Sequence, residues 1–263
     1  MNHGQRAIGV FDSGVGGLTV FREIARALPG ESLIYLGDSA RVPYGTKSPS
    51  TIVRYALEAA KHLISRDVKM LVIACNTATA AALPILQEQL SIPVIGVVEP
   101  GARAAVAATS GVVGVIATEG TVRSKAYTRA IHALDPDIDV IESAAPLFVP
   151  LAEEGWANTH VAREVAEIYL GPLLDAGIDT LVLGCTHYPI LRSTIEQVVG
   201  GAVAIVDSAE TTAQTVRLAL GSTVRQANPK RQFLVTDAEE RFRRIAGEFL
   251  AQEIEHLELV SLG

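Results

Sequence analysis

The sequence predicts an α/β fold made of two pseudo-symmetric lobes with mainly parallel sheets. Three observations predict it. Short apolar runs alternate with longer amphipathic ones along the chain. The apolar set is mostly Val, Ile, Leu and Ala with only 5% aromatic residues, which suits strands buried on both faces under Ala-rich helices. The third observation is a repeat. LVIACNTAT (71–79) resembles LVLGCTHYP (181–189) at an offset of 110, and AIGVFDSG (7–14) aligns more loosely with VVGVIATE (112–119) at 105. The only two cysteines, Cys75 and Cys185, fall in register within that repeat.

The runs expected as strands are AIGVF (7–11), LIYLG (33–37), KMLVIAC (69–75), PVIGVV (93–98), VVGVIA (112–117), IDVIE (138–142), DTLVLGC (179–185) and VAIVD (203–207). QFLVT (232–236) and LELV (257–260) follow near the end. Helical patterns occupy 51–65, 78–90, 159–176 and 237–253. Strand–helix alternation of this kind implies parallel sheets with right-handed crossovers. The repeat sets lobe boundaries near Val97–Gly101 and Asp207. The first lobe is then 1–98, completed by 208–263, and the second is 99–207.

Composition narrows the function. A net charge of −7 argues against nucleic acid as the partner, because a basic patch is its usual footprint. No run approaches ~18 uninterrupted apolar residues, and the first residues lack a secretory pattern, so no membrane partner and a cytoplasmic location are expected. Two cysteines make no disulfide framework, and both are expected to be reduced thiols. The six histidines show no H-E-x-x-H spacing, and neither C-x-x-C nor a phosphate-binding G-x-x-x-x-G-K-[ST] occurs. No lysine sits at a strand end in a context suited to a pyridoxal Schiff base.

Cys75 and Cys185 each close a buried strand, with Asn76-Thr77 and Thr186-His187 following as helix starters. Ligands of open parallel sheets bind at the carboxyl ends of strands. A helix N-terminus there is expected to stabilise a thiolate, and its free N–H groups can hold a carboxylate. Asp12 and Ser13 precede Gly14-Val15-Gly16-Gly17, a turn whose glycines would let backbone approach a ligand. A dinucleotide fingerprint is the alternative reading, with Asp38 as the ribose-binding acid, although Thr19 stands where that fingerprint needs its third glycine. In the loop GDSARVPYG (37–45), Tyr44 and Gly45 can project a hydroxyl and an N–H into a cleft. Thr118 and Thr121 follow a strand, where hydroxyls cap a helix or touch a ligand. Glu153 and Glu154 follow two prolines, the usual setting of a solvated helix end.

The motifs GVFDSGVGGLTV (9–20), YLGDSARVPYG (35–45), LVIACNTATA (71–80), GVVEPG (96–101), GVIAT (114–118) and LVLGCTHYP (181–189) together resemble the glutamate racemases of the aspartate/glutamate racemase superfamily. The chain departs from that pattern at Ala144-Ala145, where a cysteine is missing, but this position is outside the acid/base pair. The resemblance implies an active site in the cleft between two lobes and interconversion of L- and D-glutamate for peptidoglycan. It implies that Cys75 works on the D-enantiomer and Cys185 on the L-enantiomer. Asp12, Ser13, Tyr44, Gly45, Asn76, Thr77, Thr186 and His187 match substrate-contacting positions, and Glu153 matches a carboxylate that assists His187. No cofactor and no metal are expected. Aspartate stays open as the substrate, because pocket depth is not written in the motifs. A homodimer stays open too.

Overall fold

The computed structural model describes residues 6–221, 226 and 228–262. Strands β1 (Ile8–Asp12), β2 (Leu33–Gly37), β3 (Met70–Ile73) and β4 (Val94–Gly96) form one unit. Strands β5 (Val112–Ala117), β6 (Asp139–Ala144), β7 (Thr180–Gly184) and β8 (Ala204–Asp207) form a second. Every strand run expected from the sequence is a strand, including β9 (Arg231–Val235) and β10 (Leu257–Leu259). The first sheet runs β10-β9-β2-β1-β3-β4 and the second β6-β5-β7-β8. All pairings are parallel.

The repeat is visible in the register. Gly9 of β1 faces Leu71 of β3, and Gly114 of β5 faces Leu181 of β7. These are the residues that the two sequence offsets pair. Both glycines serve the same packing need. A Cβ at Gly9 would lie 3.3 Å from Leu63 of α2 (Pro49–Ser65), and one at Gly114 would lie 3.5 Å from Leu173 of α8 (His160–Asp175). Each crossover helix thus closes onto its sheet at the same point, and a residue that follows it crowds the glycine further: a Cβ would lie 3.2 Å from Val68 at Gly9 and 2.8 Å from Ile178 at Gly114.

The two sheets share packing. Helix α1 (Leu18–Ala27) lies against α10 (Ser208–Leu220), and α10 also meets α4 (Val98–Ala108). One buried cluster runs from Leu18 and Phe21 through Leu181 and Leu183 to Ala213 and Val216. Helix α11 (Glu239–Leu250) packs on α1 and beside β10. Among the described residues, no helix is long and apolar enough to cross a membrane.

Two boundaries beside the cysteines differ from expectation. The third strand stops at Ile73, and α3 (Asn76–Gln89) begins two residues early, because Cys75 leaves the sheet to cap the helix. After Cys185 no α-helix starts. A 3-10 turn over Tyr188–Leu191 intervenes before α9 (Arg192–Val199).

Candidate active site

The carboxyl ends of β1, β3, β5 and β7 supply the candidate residues. Cys75 has extended backbone and caps α3, its sulfur accepting from the Ala78 N–H at 3.4 Å. The same thiol donates to the Ser13 hydroxyl at 3.6 Å. Both cysteines are free and buried. Burial, followed by the charge of Asp12, pushes the Cys75 thiol up to about 12. The helix N-terminus favours the thiolate as expected, but burial outweighs it. The Ala78 N–H does pull the value down, but desolvating a sulfur anion costs more than one such bond returns.

Asp12 is fully buried and accepts from the Gly14 N–H at 3.0 Å and from the Thr186 hydroxyl at 3.4 Å. Burial raises its pKa, against the pull of His187 and of these hydrogen bonds. The neighbouring glycines have a packing role that the sequence did not reveal. A Cβ at Gly17 would lie 2.4 Å from that of Asp12, and one at Gly16 would lie 2.4 Å from His187 Nδ1. They make room for site side chains.

On the Cys185 side, His187 Nδ1 lies 3.9 Å from the sulfur. Its Nε2 is 3.0 Å from Glu153 Oε1, and Glu153 Oε2 accepts from Arg241 at 2.9 Å. Glu153 ends α7 (Phe148–Glu153), but its side chain is only 17% exposed, so the solvated helix end its sequence setting suggested fits Glu154 alone. Burial works against a charge on His187, but bonds to Cys185 and Glu153 and their charges raise it to about 10. Glu153 is raised by burial, yet His187 and Arg241 hold it below the ordinary carboxylate range. Phe249 packs edge-on to the imidazole, with ring centroids 5.3 Å apart.

The repeat breaks where the chemistry lies. At the 110 offset His187 corresponds to Thr77, and at the 105 offset Asp12 corresponds to Ala117. One thiol therefore has an imidazole–carboxylate partner and the other a buried carboxylate and a serine.

Thr77, Thr118 and Thr121 form a triangle of hydroxyls with edges of 2.8, 3.2 and 3.1 Å. Thr118 also caps α5 (Glu119–Ser124), so capping and clustering coexist. Gly45 packs against Thr118, where a Cβ would lie 2.9 Å away. The Tyr44 hydroxyl does not project into the cleft. It donates to Asp38 Oδ2, which also takes Arg41 Nε at 2.7 Å, while Thr236 occupies Asp38 Oδ1 at 3.0 Å. Asp38 is thus committed to protein partners, and the dinucleotide reading loses its ribose acid. Thr19, the residue that broke that fingerprint, donates its hydroxyl to the Thr186 carbonyl at 3.0 Å.

Sequence reasoning missed Arg241, Thr19 as a clasp on Thr186, and Tyr127, whose hydroxyl donates to Asn76 Oδ1 at 2.7 Å. No local signal marks Arg241 or Tyr127. Among the described residues, no group of three or more His, Cys, Asp or Glu is placed to hold a metal ion.

The Asp/Glu/Hydantoin racemase family profile matches residues 8–216. A glutamate racemase of Geobacter metallireducens is 55% identical over 98% of this chain and 97% of its own. The crystal structure of a Bacillus anthracis glutamate racemase superposes with a TM-score of 0.95 at 44% identity, covering 99% of each chain. That of the Francisella tularensis glutamate racemase, solved in complex with D-glutamate, gives 0.91 at 42% identity and 98% of each chain. The chain belongs to the Asp/Glu/Hydantoin racemase family and, within it, groups with the glutamate racemases, which makes it an isomerase.

Proposed function

We propose that the protein interconverts L- and D-glutamate by two-base proton transfer between Cys75 and Cys185, in the cytoplasm, supplying D-glutamate for peptidoglycan. The observation that carries this reading is the pair of free, buried thiols at equivalent ends of β3 and β7, with unequal partners. Inversion at Cα needs a base on one face and an acid on the other. With L-glutamate bound, the Cys185 thiolate takes the α-proton. The electron pair stays on Cα, and the Cys75 thiol delivers its proton to the opposite face. Cys185 ends as thiol and Cys75 as thiolate, ready for the reverse passage. His187, with Glu153 behind it, provides positive charge beside the Cys185 sulfur. Asp12 pairs with the substrate ammonium or receives the Cys75 proton during turnover.

Donors to the substrate carboxylates stabilise the carbanion. Asn76 is a candidate donor: it follows Cys75, is 2% exposed, and its Nδ2 has no partner. Ser13, Tyr44, Gly45, Thr77, Thr118, Thr121 and Thr186, with Asp12 and His187, complete the proposed substrate set. The lobe division at 1–98 with 208–263 against 99–207 belongs to the same reading. A single chain supplies every group named.

The test uses protein and glutamate alone in deuterated water. Optical rotation of either enantiomer should decay to zero. L-glutamate formed early from protiated D-glutamate should carry deuterium at Cα, while the remaining D-glutamate stays largely protiated. No decay would remove the function, and protium carried into early product would mean that one group serves both faces. Faster decay with aspartate would move the substrate assignment.

A further inference from the structure

Each strand-end turn that carries a cysteine is held from the opposite unit. Thr186, after Cys185, is held by Asp12 and Thr19 of the first unit. Asn76, after Cys75, is held by Tyr127 of α6 (Ala126–His132) in the second. We infer that Tyr127 is a positioning residue that fixes the Asn76 side-chain amide with its NH2 group free for a substrate carboxylate. This inference rests on the glutamate reading above.

An asparagine amide presents a carbonyl on one side and two N–H donors on the other, and turning it over exchanges them. Unrestrained, Asn76 could offer either end to an anion. The Tyr127 phenol donates to Oδ1 at 2.7 Å and so ties down the carbonyl end. Nδ2 is left with no partner in a residue that is 2% exposed. A buried donor left unmade costs free energy, which an arriving carboxylate would recover.

The phenol itself has little freedom. Tyr127 is fully buried, and burial keeps it neutral and hence a donor. Its ring is slotted between two glycines. A Cβ at Gly101 would lie 3.2 Å from the ring, and one at Gly184 would lie 3.0 Å from it. Gly184 immediately precedes Cys185, so the tyrosine spans from one cysteine's strand to the other cysteine's neighbour.

Tyr127→Phe keeps the ring and removes only the donor. KM for both L- and D-glutamate should rise about three- to tenfold, the usual worth of one oriented hydrogen bond, with kcat changed less than about twofold. Asn76→Ala should raise KM by itself, and adding Tyr127→Phe to it should raise KM no further. Asn76→Ser replaces it if the alanine variant does not fold. Unchanged KM in Tyr127→Phe, with turnover intact, would overturn this inference alone. An equal rise in the Asn76→Ala background would overturn it too, by showing that the phenol acts through packing at Gly184. Wild-type protein that leaves glutamate unracemised would instead overturn the functional reading, and this inference with it.

Discussion

Gly16 lies so close to His187 that a methyl group on its Cα would sit 2.4 Å from the imidazole Nδ1. The same methyl would also lie 2.4 Å from the Thr186 hydroxyl. Neither neighbour can retreat freely. His187 Nε2 is bonded to Glu153, and the Thr186 backbone is held by Thr19. Gly16→Ala is therefore expected to displace the imidazole from Cys185. Misplacement on this scale can cost about 10²-fold in kcat. Overpacking should cost about 1–3 kcal/mol in stability. Steady-state kinetics and denaturant unfolding check both. A fully active Gly16→Ala would show that His187 need not hold this position.

The two cysteines are expected to matter for turnover far more than for affinity. Cys75→Ala and Cys185→Ala should each lower racemisation by at least about 10²–10⁴-fold, the usual worth of a positioned acid or base. Glutamate binding, measured by calorimetry, should stay within about tenfold, because the lost group acts mainly in the transition state. Substantial activity in either variant would make that cysteine structural.

His187 gives a pH signature with a defined sign. Its pKa is raised to about 10 in the folded protein, from an ordinary value of 6.5. A bound proton then favours the folded state. The contribution is complete below pH about 6.5 and is lost as pH rises toward about 10. The Tm of wild type should exceed that of His187→Asn most near pH 6, and the gap should narrow steadily through pH 10. Catalytically, His187→Asn should lower kcat from L-glutamate more than from D-glutamate. The ratio of kcat/KM values must still return the same equilibrium constant. A Tm gap that widens with pH would show that His187 is neutral in the folded state.

Arg241 reaches Glu153 from α11, beyond the residues matched by the family profile. Its side chain is 54% exposed, so the ion pair is worth at most about 1 kcal/mol. Arg241→Ala should lower kcat by no more than about fivefold. Glu153→Gln should lower it further, and Arg241→Ala should then add little, since the arginine acts through that carboxylate. Additive losses in the double variant would place Arg241 in a separate role.

What the sequence determined by itself was the layout. Apolar periodicity marked all ten strands of the described residues, and the repeat carried the register that pairs Gly9 with Leu71 and Gly114 with Leu181. These are properties of neighbouring residues and of a duplicated pattern, so they survive without coordinates. The same logic put both cysteines at strand ends, each followed by polar residues, Asn76 and Thr186. The tertiary structure alone decided what those groups feel. Tyr127 meets Asn76 across 51 residues, Arg241 meets Glu153 across 88, and Thr19 meets Thr186 across 167. No local pattern encodes such pairs, because each exists only once the two sheets have packed. Cys75 shows the point most clearly. Its place at the head of α3 suggested an easily ionised thiol, but the atoms that surround it exclude water and bring Asp12 near. Desolvation depends on everything within a few ångströms, wherever it comes from in the chain, and here it outweighs the helix.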